Sequence, residues 1–277
     1  MTAIAIWCNH EVKDNPGLWI AADSRVSATD KSVLIEDAAK LFSLSVTCRS
    51  PGDDGLFSKV YYTHTLGYCF AGNTLMGQNA YLTLTPLLCN LISPASYVPS
   101  LADVARHVLA YLSLTFDDYK ERVGPSAMFE VALFGFCHRT AQLSVFHYTP
   151  KLEGGIFRMT CIPYHNMKDR DFVYLGDDKS QMCSRISAGF AGATIPGRPV
   201  SRIPRHIIQD CIEDESAKTI GGDLQLGIAD EYGFRPFTLC KPRVKGQPAA
   251  YLSYLGRELT PDIALVGKAR VGGPGMV

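Results

Sequence analysis

Over the first seventy residues apolar side chains come in short blocks separated by turn residues, not at helical spacing. Residues 3–8, 18–23, 32–35, 41–46 and 61–71 read as strands, with Asn15-Pro16-Gly17 as the first turn and a break near Thr65 in the last strand. From Asn73 the spacing turns helical. Leu75, Met76, Leu82, Leu87, Leu88 and Leu91 fall on one side of a helix that Pro86 kinks or shortens. A second helix is more clearly marked. Ser100 is its N-cap and Asp103 sits in the capping-box position. Leu101, Val104, Ala105, Val108, Leu112, Phe116 and Tyr119 repeat at about 3.6 residues, and Gly124-Pro125 supplies the stop. Further strands follow at 128–137, 142–148, 156–162 and 172–175, then helices at 179–188 and 202–213 and a last strand at 223–228.

Strands, two helices, strands, two helices and a strand is not the alternation of a doubly wound parallel sheet. It predicts an α+β fold of two stacked antiparallel sheets with helices on both outer faces. Neither a repeat nor a low-complexity tract divides the chain; its most loop-like stretches are 49–58, 189–199 and the part after Lys241. A single domain is expected over 1–277. Beyond about residue 234 it runs into an extended tail without a clear helix, which either packs on an adjoining subunit or hangs in solvent.

Composition removes several function classes. Apolar residues make up 47% and charged residues 19%, which excludes disorder. Lys plus Arg balances Asp plus Glu at 27 each, and no dense basic run is present to track phosphates, so nucleic acid is not an expected partner. No stretch approaches the ~18 apolar residues of a membrane span, and Asn9, His10 and Glu11 interrupt the apolar start before it reads as a signal peptide. A cytoplasmic protein is expected. The nine cysteines lie singly, mostly inside apolar runs, which suits reduced thiols. Seven dispersed histidines, without HExxH or CxxC, point to no metal.

The candidate chemistry begins at Thr2. Removal of Met1 is favoured when the next side chain is small, and it would expose a threonine carrying its own base. An α-amine with a pKa of about 7.7–8.0 can take the hydroxyl proton near neutral pH. Lys40, between Ala39 and Leu41 after an apolar strand, would be a partly buried ammonium that lowers the pKa of a neighbouring hydroxyl or amine. Asp23 ends an apolar strand, where a carboxylate needs a partner, and Lys40 is the natural one. Gly72, at a strand-to-helix junction, allows close approach and turns backbone N–H groups toward a developing oxyanion.

Trp19-Ile20-Ala21-Ala22-Asp23-Ser24-Arg25, then Glu36-Asp37-Ala38-Ala39-Lys40-Leu41-Phe42, then Gly67-Tyr68-Cys69-Phe70-Ala71-Gly72-Asn73, resembles the proteasome beta subunits in order and spacing. HslV and the bacterial Anbu proteins share this layout. The resemblance implies a four-layer αββα N-terminal nucleophile hydrolase without a cofactor. Thr2, Asp23, Lys40 and Gly72 would be catalytic. Ser27 would pair its backbone with an extended peptide, and Arg25 would organise the turn of this substrate-binding segment. It also implies a peptide or unfolded-protein substrate and a homo-oligomer, a ring or a stacked assembly. Two other readings stand beside the peptidase: an amidase acting on a small amide, and a noncatalytic scaffold like the proteasome alpha subunits. The family's Gly-Ser-Gly and Asp-x-x-Ser-Gly-Gly elements match only in their glycines. Here stand Gly176-Asp177-Asp178 and Ala217-Lys218-Thr219-Ile220-Gly221-Gly222, with Thr219 or Glu215 as substitutes for the missing polar groups.

Overall fold

An unbroken apolar run such as Ala3-Ile4-Ala5-Ile6-Trp7 makes a strand buried on both faces. Every residue of β1 (Ala3–Asn9) and β2 (Gly17–Ala22) is buried. In a computed structural model, which describes residues 2–11, 16–28, 30–192, 196–214, 217–243, 249–272 and 275–276, the chain continues through β3 (Val26–Ser27), β4 (Val33–Ile35), β5 (Leu41–Ser50) and β6 (Lys59–Gly72). Then come α1 (Thr74–Leu88), β7 (Leu91–Ile92), α2 (Leu101–Val123), β8 (Phe129–Cys137), β9 (Gln142–Glu153), β10 (Ile156–His165) and β11 (Phe172–Gly176). The last part holds α3 (Lys179–Ala191), α4 (Ile203–Glu213), β12 (Gln225–Asp230), β13 (Gly233–Pro236), β14 (Thr238–Pro242), β15 (Ala250–Tyr254) and β16 (Arg257–Glu258). Met1, Asn15 and Glu215, which entered the sequence expectations, lie outside the described residues.

The chain forms two compact units, one of residues 1–41, 168–228 and 235–277 and the other of 42–167 and 229–234. In the first, β1 is the hub of a sheet ordered β11-β1-β2-β12. Its antiparallel registers place Ile4 opposite Ala22 and Ala3 opposite Gly176. Met182, Ile186 and Phe190 of α3 and Ile207, Ile208 and Cys211 of α4 share one core with Ala3, Ala5, Trp7, Trp19 and Ala21. The small alanines leave room for Trp7 and Trp19, a cross-strand pair with ring centroids 6.1 Å apart. Residues 238–258 add an antiparallel β14–β15–β16 meander to this unit, with Ser253 buried and Arg257 paired to Asp37 at 2.7 Å.

The second unit is built on a six-stranded sheet ordered β10-β9-β8-β6-β5-β7. It is antiparallel from β10 to β6, and the short β7 pairs in parallel with β5, a departure from the all-antiparallel expectation. Alternate residues Leu66, Tyr68 and Phe70 of β6 and Phe129, Val131 and Leu133 of β8 share a core with Met76, Ala80, Leu84 and Leu88 of α1 and Leu101, Val104, Val108, Leu112 and Phe116 of α2. The capping box closes as expected: Ser100 Oγ accepts from Asp103 N at 3.1 Å, and Asp103 accepts from Ser100 N at 2.9 Å.

Two sequence expectations are corrected here. β6 does not break at Thr65, because that hydroxyl accepts from Phe234 N at 3.0 Å instead of competing with its own backbone. The apolar stripe of α1 is phased differently. Leu75, Leu82 and Leu87 are exposed, and the buried face is Met76, Gly77, Ala80, Leu84 and Leu88. Gly77 decides the phase, since a Cβ there would stand 2.2 Å from Phe70 Cγ and only a glycine lets the helix seat against that ring. Pro86 is accommodated in the last turn, where α1 ends two residues later. Gly77→Val should therefore lower unfolding free energy by about 1–3 kcal/mol, read from the urea midpoint, by forcing the helix off Phe70.

Candidate active site

The register of β1 against β2 sets the site. With Ile4 opposite Ala22, the end of β2 delivers Asp23 to the start of β1, and Asp23 N donates to Ala3 O at 3.2 Å. The Asp23 side chain is fully buried and accepts four hydrogen bonds. Oδ1 receives Ala3 N at 2.9 Å and Lys40 Nζ at 2.8 Å; Oδ2 receives Arg25 N and Gly221 N, both at 3.2 Å. The ammonium of Lys40 thus lies one carboxylate oxygen away from the peptide that joins Thr2 to Ala3. Thr2 itself is buried.

Lys40 is 1% exposed, so its charge is carried in the interior. Burial lowers its pKa from the ordinary lysine value. The charges of Asp23 and Asp177 and the Asp23 hydrogen bond oppose that shift, and Arg25 adds to it. The backbone that presents Lys40 is held by Gln225, whose Oε1 accepts from Lys40 N at 3.0 Å while its Nε2 donates to Ala38 O at 2.8 Å and Asp23 O at 3.4 Å. Ser24 Oγ donates to Glu36 O at 2.5 Å and accepts from Asp223 N at 2.6 Å. Gly222, at φ +74°, passes so close beneath this segment that a Cβ would sit 2.0 Å from Glu36 O.

The third wall comes from β11. Asp177 N donates to Thr2 O at 2.9 Å, and Gly176, at φ +110°, leaves the space a Cβ would take 1.8 Å from that same oxygen. The Asp177 carboxylate accepts from Thr219 Oγ1 at 2.8 Å. Burial raises its pKa, against the lowering effect of that hydrogen bond. The turn after β11 thus supplies a carboxylate, and the loop before Gly221-Gly222 supplies the hydroxyl that donates to it. Asp177, Gln225 and Ser24 were not singled out from sequence. The available signals were an acidic residue directly after a strand-ending glycine and a lone amide within the apolar run of β12.

The other expected residues fall out as follows. Arg25 donates to Glu36 Oε2 at 2.9 Å, Lys218 O at 3.2 Å and Ile220 O at 3.4 Å, tying the 36 turn to the 218–221 loop. Ser27 lies on β3, which pairs with β4 in a two-stranded ribbon. Gly72 belongs to the second unit, where it ends β6 at φ +92° ahead of the Asn73 cap of α1. A Cβ there would stand 2.7 Å from Met128 O and 2.9 Å from Phe129 Cα, so local packing by itself requires glycine.

No family model and no curated protein matches the sequence. Solved structures do. The fold resembles that of Anbu. The chain is 16% identical to a subunit of the helical assembly of the Anbu complex from Pseudomonas aeruginosa, at a TM-score of 0.55, with 92% of this chain and 87% of that one covered. An Anbu mutant from Hyphomicrobium sp. strain MC1 aligns at 15% identity and a TM-score of 0.53, covering 84% and 85%. At such identities the likeness to Anbu is one of fold.

Asp23→Ala should cost about 3–5 kcal/mol of stability by leaving the Lys40 ammonium buried without its carboxylate. Adding Lys40→Met to that variant should recover much of the loss in a urea titration, and no recovery would mean that the pair is not the coupled unit described.

Proposed function

We propose that the chain is a threonine-type N-terminal nucleophile hydrolase that cleaves peptide bonds once Met1 is removed. The observation that carries this reading is the Asp23 Oδ1 atom shared by Lys40 Nζ and Ala3 N, which brings a buried cation to the residue next to the nucleophile. The Thr2 hydroxyl attacks the substrate carbonyl and its proton passes to the free α-amine. The amine then protonates the departing amine of the substrate, leaving an ester on Thr2 that water hydrolyses. Lys40, held by Asp23, makes the hydroxyl easier to deprotonate. Asp177, with its N–H on Thr2 O, is a positioning residue for the nucleophile.

The oxyanion role of Gly72 and the four-layer αββα arrangement belong to the same reading and come from the resemblance. One edge of β3 is taken by β4, and the other carries no strand among the described residues, so the backbone around Ser27 can add an extended peptide. A cytoplasmic homo-oligomer completes the proposal, with Leu75, Leu82 and Leu87 of α1 and Leu114 of α2 as exposed apolar positions suited to contact between copies.

The decisive experiment is reaction with a peptide epoxyketone, which bonds to both the hydroxyl and the free amine of an N-terminal threonine. An adduct mapped by mass spectrometry to Thr2 on Met1-free protein is expected. It should be absent from Thr2→Ala, and Lys40→Ala should slow peptide hydrolysis by about 10²–10⁴-fold. Properly processed protein that gives no adduct would overturn the reading. The pH profile of kcat/KM should rise through the amine pKa of about 7.7–8.0, because only the free amine accepts the proton. It should fall again as Lys40 loses its charge. Because burial lowers that pKa, the alkaline limb should lie below the ordinary lysine value of about 10.4.

A further inference from the structure

The second unit holds a group of reactive side chains that the hydrolase reading does not use. Cys137 ends β8 and meets the start of α2. Its Sγ accepts from the backbone N of Leu101, the first residue of that 23-residue helix, at 3.3 Å. It lines a small cavity of about 20 Å³ together with Tyr62, His64, Leu101, Phe136 and His138. His64 is 7% exposed, its Nδ1 is 3.2 Å from His138 Nε2, and its own Nε2 is buried with no partner among the described residues. His138 is exposed, at the rim.

We infer that Cys137 is a peroxide-reactive thiol, oxidised to sulfenic acid inside the cavity it shares with His64 and His138. A water needs roughly 10–15 Å³ of such space, so this cavity admits a molecule the size of hydrogen peroxide and excludes a bulky disulfide. The positive end of α2 and the Leu101 N–H favour thiolate over thiol. Burial, the largest single influence, raises the Cys137 pKa, but donors from Leu101, Thr140 and Arg139 together bring it below the ordinary thiol value.

Burial, with the neighbouring His138, pushes His64 down to about 4, so its ring is neutral near pH 7, and its unpartnered Nε2 is a hydrogen-bonding atom for a bound peroxide, which can both donate and accept. In the reaction the sulfur attacks one peroxide oxygen, forming an S–O bond as the O–O bond breaks. The departing hydroxide takes up the proton released by the thiol and leaves as water. Sulfur loses two electrons and the peroxide gains them.

The nine cysteines are all free and provide internal comparison. The full-length protein is treated with hydrogen peroxide and then with a dimedone-type trap, and the tagged cysteines are mapped and timed by mass spectrometry. Cys137, though 6% exposed, should be tagged on the order of tenfold faster than the exposed Cys240. Burial pushes the Cys69 thiol well up, so it should stay untagged and report an intact fold. His64→Leu should slow Cys137 on the order of tenfold without changing Cys240. Should that variant expose Cys69, Thr140→Val, which removes one donor to the sulfur from a surface turn, is measured in its place and should slow Cys137 as well. Tagging of Cys137 no faster than Cys240, or an unchanged Cys137 rate in the variant that keeps Cys69 protected, overturns the inference. The outcome does not depend on whether Thr2 is a nucleophile.

Discussion

A carboxylate with no exposure must have its charge met inside the protein, and Asp23 meets it with an ammonium and three backbone N–H groups. Removing a charge from water costs several kcal/mol, and only near-complete saturation of its lone pairs offsets that cost. Saturation here requires four separate segments of chain to arrive together: the start of β1, the turn after β2, the entry to β5 and the loop before β12. The ion pair is therefore both a structural knot and a means of positioning Lys40 beside the Thr2 peptide.

The glycines around this knot follow from the same demand for close approach. Gly221 donates to Asp23 and also lies against the Arg25 guanidinium, where a Cβ would come within 2.2 Å of Cζ. Gly176 and Gly222 pass within contact distance of the carbonyls of Thr2 and Glu36. Side chains at these positions would push the segments apart and break the bonds to Asp23. That explains why glycine stands at 176, 221 and 222, while the polar contact between these two segments is carried by the Asp177 and Thr219 side chains.

The second unit follows a different economy. Its sheet and helices are held by apolar packing, with Tyr68 and Tyr148 placing their hydroxyls on backbone carbonyls so that large rings can be fully buried. Its polar exceptions are few, and Cys137 with His64 and His138 is one of them. Cys137 is also a buried member of the apolar core, so the reactivity inferred for it comes in addition to a packing role.

Apolar blocks and helical spacing determined most strands and the four long helices, and cap residues the start of α2, because those signals are local: a strand buried on both faces must be apolar throughout, and Ser100 with Asp103 closes a helix start from within four residues. The Asp23–Lys40 pair was also legible, since a charge at the end of an apolar strand needs a partner. Other features were decided by contacts between separate elements. The phase of α1 was set by Gly77 meeting Phe70, and the continuity of β6 by Phe234 binding Thr65. The support of Lys40 by Gln225 and of Thr2 by Asp177 depends on segments 175 or more positions away. Local pattern specifies which elements form, but close approach and hydrogen-bond saturation arise only when distant segments pack, and those determine where the reactive groups lie.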